Sequence, residues 1–225
     1  MPQQTDILSS RTAADSASDL AEQRFLVLSL LSRVRTCLPV RVVACTAAGA
    51  AAAVGRVDVQ PLVQQVDGDG KAWPHGTIYN LPYLRQQGGA NAVICDPQPD
   101  DIGLIAACDR DISAVKASGG EAPPGSRRRH DLSDSVYLHT IIGAAPTQFV
   151  RFYAGGIEAV SPGQIRAQAP TIILDGNVTI TGSATIGGDL SVSGAGTVSG
   201  DLAAQGISLH NHVHPVGSGT TGTPQ

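Results

Sequence analysis

Apolar residues in the last quarter of the chain fall into two columns with a six-residue period. One holds Val178, Ala184, Leu190, Gly196 and Leu202; the other holds Ile180, Ile186, Val192, Val198 and Ala204. A glycine closes each period, at Gly176, Gly182, Gly188, Gly194, Gly200 and Gly206. Val, Ile and Thr dominate between them, so the pattern predicts strand, turn, strand, turn, with each glycine supplying a turn at no steric cost. A repeat this regular sets the architecture of its segment.

Upstream, the period differs. Residues 1–18 are polar and read as a flexible arm. Asp19 with Glu22 makes a loose capping box, and Phe25, Val27, Leu28, Leu31 and Val34 follow at near-helical spacing, with Leu26 and Leu30 widening the apolar face. A helix is predicted over 20–36, ended by Pro39. It is too apolar to stand alone and should pack on another subunit or on the next domain. From 40 to 116 short strands are predicted at 40–47, 55–62, 77–84, 91–95 and 103–107; in the second, Val57 and Val59 alternate with Asp58 and Gln60. Asp67-Gly68-Asp69-Gly70 is a turn by composition. Five short strands without a second long helix point to a small barrel of the OB type. Residues 117–135 read as a loop whose Arg127-Arg128-Arg129-His130 run either contacts an anion or is simply solvated, the acidic whole favouring the second. Very short strands at 149–153, 157–160, 164–168 and 171–174 lead into the repeat.

Composition narrows the architecture. The chain has 225 residues, 26 of them glycine, and only 4% aromatic. That suits a slim structure filled by small and β-branched side chains better than a bulky core. A net charge of −4 gives no phosphate-neutralising surface, so no nucleic-acid partner is expected. No stretch reaches the roughly 18–20 apolar residues of a membrane helix. The N-terminus lacks the charged start and apolar run of a signal peptide, so folding in a cytosol is expected. Cys37, Cys45, Cys95 and Cys108 lack zinc-ligand spacing and read as buried free thiols.

A hexad repeat can fold in two ways. A single-chain left-handed β-helix needs three hexads per coil and several coils, with an aliphatic residue before each glycine. The six glycines give about two coils, and the preceding residues are Asp175, Thr181, Gly187, Ser193, Ser199 and Gln205. The alternative is three identical chains wound about one axis. This pairs each strand edge with a neighbour and tolerates only small residues at the crowded centre. The trimer is the favoured reading, and an isolated monomer should not hold the shaft.

The repeat ends in Ser208-Leu209-His210-Asn211-His212-Val213-His214-Pro215. His210, His212 and His214 are spaced by two, so an extended chain points them the same way. Imidazole suits iron, zinc, copper and nickel. Two histidines from each of three chains give six nitrogens, which fits octahedral iron better than tetrahedral zinc. The apolar parity flips near Gly206, as a turn or bulge would cause. His75, His130 and His139 are isolated, and no GxSxG, HExxH or phosphate-binding loop is present. The protein is therefore expected to have no catalytic activity.

Together these residues resemble the central spike of contractile-tail bacteriophage baseplates. Gly55-Arg56-Val57-Asp58-Val59-Gln60-Pro61, Leu81-Pro82-Tyr83-Leu84, Asp101-Ile102-Gly103-Leu104-Ile105 and Asp109-Arg110-Asp111-Ile112-Ser113 resemble segments of that family's OB domain, and His212-Val213-His214-Pro215 resembles its HxH tip. The resemblance implies a mainly β fold: an arm and helix at 1–36, an OB-fold barrel at 37–143, an intertwined trimeric β-helix shaft at 144–206 and a metal-bound tip at 207–225. It implies one iron ion per homotrimer, held by His212 and His214 of each chain, with His210 the alternative ligand because the chain reads HxHxH. It further implies attachment to the tail hub, a place at the baseplate tip of the virion, and piercing of the host outer membrane when the sheath contracts. Two rival readings are a hexapeptide-repeat β-helix transferase and a trimeric receptor-binding tail fibre. A fibre would carry a bulky C-terminal recognition domain, whereas this sequence stops eleven residues after His214.

Overall fold

The computed structural model describes residues 13–46, 49, 51–67 and 70–222. Residues 1–12 of the arm expected at 1–18, the last residue of the first predicted strand, Ala47, and the turn centre Gly68-Asp69 lie outside the described residues, and the described part of the arm holds a 3-10 turn at Ala13–Ser16. The chain divides into two units, Met1–Gly163 and Gln164–Gln225.

In the first unit, helix α1 spans Asp19–Leu31. Ser18, not Asp19, caps it: its Oγ accepts from the Ala21 amide at 3.2 Å. Asp19 and Glu22 instead occupy the first turn, where carboxylates suit the positive end of the helix dipole. The helix also stops earlier than Pro39. The amides of Arg33 and Val34 tighten onto Leu30 and Leu31. Pro39 lies inside strand β1, Cys37–Cys45, where its carbonyl accepts from Leu62 at 3.0 Å.

Strand β2 is Arg56–Pro61, followed by a hairpin of β3 (Gln65–Val66) and β4 (Ala72–Trp73). Strand β5 is Ile78–Pro82, and a second hairpin joins β6 (Gln86–Gly88) to β7 (Asn91–Val93). Then come β8 (Ile102–Ala107), a short helix α2 (Ser113–Ser118), β9 (Ser135–Ile142) and the hairpin β10 (Phe149–Tyr153) with β11 (Gly156–Val160). Five strands form one antiparallel sheet in the order β5-β2-β1-β8-β9. The two outer strands approach each other: Tyr83 bridges Tyr137, and the Leu84 amide donates to the Tyr137 carbonyl at 2.8 Å.

Period-two alternation builds the core. Val57, Val59 and Pro61 turn inward from β2, Gly103 and Ile105 from β8, and Val40 and Val42 from β1. Leu81, Tyr83 and Tyr137 complete the buried cluster. Strand β9 is absent from the sequence reading because its inward positions are Ser135 and Tyr137, which carry no aliphatic signal. Tyr137 needs the space left by Gly103. A Cβ there would sit 2.1 Å from the tyrosine hydroxyl oxygen.

Two buried ionic networks tie loops to this core. Arg85 and Asp96, each with a side chain only 1% exposed, pair through Nε and Oδ1 at 2.9 Å. Asp96 also accepts from the Gly49 amide, and the Tyr83 hydroxyl accepts from Gly55, so the segment between β1 and β2 is pinned to the end of β5. In the second network Arg128 bridges Asp111 at 3.0 Å and Asp134 at 3.1 Å. Asp111 accepts further bonds from the Ser113 amide and the Ser126 hydroxyl, and Asp134 from the Ile112 amide. The arginine run is thus no mere solvated loop: Arg128 clasps two buried carboxylates, and His130 Nδ1 lies 3.1 Å from the Arg35 carbonyl. The cysteines also depart from expectation. They are free, but Cys37 and Cys95 are exposed and Cys45 and Cys108 only half-buried, since all four sit at strand ends or in loops.

The second unit has no such core. Among residues 164–202 no hydrogen-bonded ladder forms, including the expected strands at 164–168 and 171–174. Bends at Gly176, Gly182, Gly188, Gly194 and Gly200 keep the six-residue beat. Every side chain there is exposed; Ile173 is 81% and Leu190 70% accessible. The reason is that one chain offers nothing to face either apolar column.

Two outcomes test this account of the first unit. Gly103→Ala should destabilise it by about 1–3 kcal/mol in denaturant titration, whereas Gly76→Ala, with open space around it, should be near neutral. The bond from Arg85 holds the Asp96 carboxyl below its ordinary value, and the bonds from Ser113 and Ser126, with Arg128 beside them, hold that of Asp111 well below. Both carboxyls are more acidic folded than unfolded. Their stabilisation is therefore complete above the ordinary value of 3.8 and lost as pH falls below it. The thermal midpoint should be level above about pH 5 and decline steeply from about pH 4 downward, and Asp111→Asn should flatten that decline.

Candidate metal-binding tip

The tip is built from two small hairpins. The first joins β12 (Ala203–Ala204) to β13 (Ile207–Ser208) through Gln205-Gly206. Both turn residues have positive φ, 51° and 81°, the conformation of a tight two-residue hairpin turn and one that glycine adopts freely. This turn is where the apolar parity of the sequence flips. The Leu209 amide extends the ladder to Leu202 at 2.8 Å.

A second turn follows at once. Asn211 and His212 donate backbone bonds to the hydroxyl and carbonyl of Ser208, at 2.8 and 3.1 Å. His210 lies inside this turn, with its amide 3.3 Å from Asp201 Oδ1. The extended alternation expected of all three histidines therefore does not reach His210. The rings of His212 and His214 lie 5.2 Å apart, nearly perpendicular.

The second hairpin, β14 (Pro215–Val216) with β15 (Gly219–Thr220), doubles the chain back beside His214. The His214 amide donates to Thr221 Oγ1 and the Thr221 amide donates to the His214 carbonyl, both at 2.9 Å. His214 is thus bracketed on its backbone while its ring is exposed.

His212 is held through its ring. Nδ1 lies 3.1 Å from the Ser208 carbonyl and 3.3 Å from that of Leu209. Carbonyls only accept, so Nδ1 carries a proton, and in the neutral ring the lone pair is on Nε2. That is how a ligating imidazole is oriented when a backbone oxygen serves as its outer partner. The pair suits a metal, but it is incomplete: among the described residues no three His, Cys, Asp or Glu side chains come together to hold an ion. One chain could offer two nitrogens, and a metal would need further ligands from elsewhere.

Ser208, Asp201 and Thr221 are the supporting residues that the sequence reading misses. Their bonds are local but cross turns that no periodicity marks. A serine four residues before a candidate histidine ligand is the one available signal.

Comparison with known proteins bears on the first unit. Residues 38–140 match the family model described as Phage protein Gp138 N-terminal domain. The match covers just under half of the chain and runs from β1 into β9, the span of the five-stranded sheet. No curated protein sequence matches the chain.

The bracket around His214 makes a direct prediction. Thr221→Val removes the oxygen that receives the His214 amide while keeping side-chain shape. Hydrogen exchange at that amide should speed up by about five- to tenfold, the equivalent of about 1 kcal/mol, with exchange in the β1–β2 ladder unchanged.

Proposed function

We propose that this protein is the central spike of a contractile-tail phage baseplate, a homotrimer that attaches to the tail hub and pierces the host outer membrane on sheath contraction. The observation that carries this reading is the shaft segment. Two apolar columns, punctuated by a glycine every sixth residue, stand uncovered along a single chain. Three chains wound about one axis would cover them by facing each column with its symmetry copies. The similarity of residues 38–140 to a phage domain supports placing the chain in a virion. The near approach of β5 and β9 at Tyr83 and Tyr137 supports reading the sheet as an OB-type barrel.

The tip pair would then meet its copies on the axis. His212 and His214 from each chain would supply six imidazole nitrogens, a full octahedral set suited to one iron ion. A closed set leaves no position for substrate or activated water, so the ion would serve as a structural lock on three chain ends. His212 contributes an oriented Nε2, and the Thr221 bracket fixes the backbone that carries His214. The work is mechanical: a stiff point concentrates force on a small area, and no reaction is required of it.

Native mass and elemental analysis test the proposal together. The particle should weigh three times the 23.0 kDa chain and carry one iron. His212→Ala with His214→Ala should abolish the metal, and His210→Ala should largely keep it. Val192→Asp should prevent assembly, because three unpaired charges would meet in the apolar column, and Ser193→Asp should not. A monomer at micromolar concentration, or a full metal load in the double mutant, would overturn the reading.

A further inference from the structure

The hairpin β10–β11 has one finished face and one bare face. Successive strand residues point to opposite sides, and cross-strand partners share a side. Phe149, Arg151 and Tyr153 therefore stand on one face with Glu158 and Val160. There the Arg151 guanidinium lies 4.7 Å from the Tyr153 ring centre and 5.7 Å from that of Phe149, and it pairs with the Glu158 carboxylate. The charge is neutralised within the hairpin, and two rings flank it. Val150 and Phe152 occupy the other face, opposite Ala159 and Ile157. All four are exposed, Phe152 by 78%, Ile157 by 70% and Val150 by 66%. No polar residue interrupts this face within the ladder; Gln148 and Ser161 come next beyond its open end. The sheet has only these two strands, and a lone two-stranded hairpin is marginal in water. A face so uniformly apolar marks a site of association.

We propose that the cover is the same face of the other two copies: three β10–β11 hairpins bring Val150, Phe152, Ile157 and Ala159 together about the threefold axis as an apolar plug. This rests on the trimer proposed above. Three observations select copies of this chain over a foreign partner. The first is size. A free protein partner needs about 20–30 residues a side for a stable contact, and this face offers four side chains. That is enough only for surfaces already held together. The second is position in the chain. Val160 and Gln164 are four residues apart, at most about 14 Å. The hairpin therefore adjoins the segment whose own apolar side chains stand uncovered from Ile165 onward. Winding that segment makes association of the hairpins intramolecular in effect, at local concentrations on the order of millimolar. The third is charge. The bare face carries none, so three identical copies meet without repulsion, and the one ion pair of the hairpin is closed on the opposite face. Each copy then buries an aromatic and two branched aliphatic side chains. The plug holds the trimer through a part of the chain separate from the six-residue repeat and the histidine tip.

Tryptophan fluorescence on the full chain tests the plug. Trp73 is the single native tryptophan, so Phe152→Trp or Tyr153→Trp in a Trp73→Phe background reports one face of the hairpin at a time. In the trimer, Phe152→Trp should emit to the blue of Tyr153→Trp and be quenched severalfold less by acrylamide. Diluting the particle until it dissociates should erase the difference. In the otherwise unaltered chain, Phe152→Asp with Ile157→Asp should lower the temperature at which the particle dissociates, read by native mass against temperature, and Tyr153→Asp should not. Three results would each overturn the plug and leave the trimer standing: a trimer in which the two fluorescent variants are equally quenched, a shielding of Phe152→Trp that persists after dissociation, or a double aspartate variant that dissociates at the unaltered temperature. A monomeric particle would overturn both.

Discussion

Residues 164–202 are governed by one deficit: a single chain has nothing with which to cover its own apolar columns. Hydrophobic burial is the dominant favourable term in folding, roughly proportional to the area removed from water. Between residues 164 and 202 that area remains in contact with solvent. No ladder bonds compensate, because consecutive six-residue segments are separated by bends rather than by hairpins that would pair them. In the proposed trimer, symmetry copies facing each column would order this segment, and its stability would then depend on protomer concentration.

The first unit obeys the opposite logic. Its sheet buries eight hydrophobic side chains within one chain, and the loops around them are fixed by polar groups that are themselves buried. Breaking one partner of a buried pair leaves an uncompensated charge, so these networks specify loop position strongly even where their net contribution to stability is small. Arg85–Asp96 holds the segment after β1, and Arg128 holds the segment before β9. The unit therefore presents a framework that does not wait for assembly.

How much of this could be read from the sequence follows from the reach of each interaction. The alternation of Val57 and Val59 and the six-residue glycine beat are local, and both were legible. Helix α1 was legible in place but not in its limits, since Ser18 and Asp19 are equally good caps by type and only the geometry of the turn separates them. Strand β9 was hidden because its buried side is a serine and a tyrosine, one of which fits only against the glycine at position 103. The ionic networks join residues far apart in sequence, such as Asp111 and Arg128, and no pattern announces them. At the tip, the histidine pair was visible, while its support by Ser208 and Thr221 was not, because turns set those contacts.

The tip differs in kind from the shaft that carries it. Its two hairpins close their own hydrogen bonds within one chain, and Gln205-Gly206 turns the backbone before any partner is met. A metal site assembled from several chains loses affinity if each chain must first be ordered, because that ordering cost is drawn from the binding free energy. Here the imidazole of His212 is already oriented by a carbonyl and the backbone of His214 is already bracketed. In the proposed trimer the remaining requirement would be to bring copies together, the same step that would cover the apolar columns. Shaft and tip would therefore be coupled there: winding the shaft would supply the missing ligands, and filling the ligand set would hold the tip against fraying.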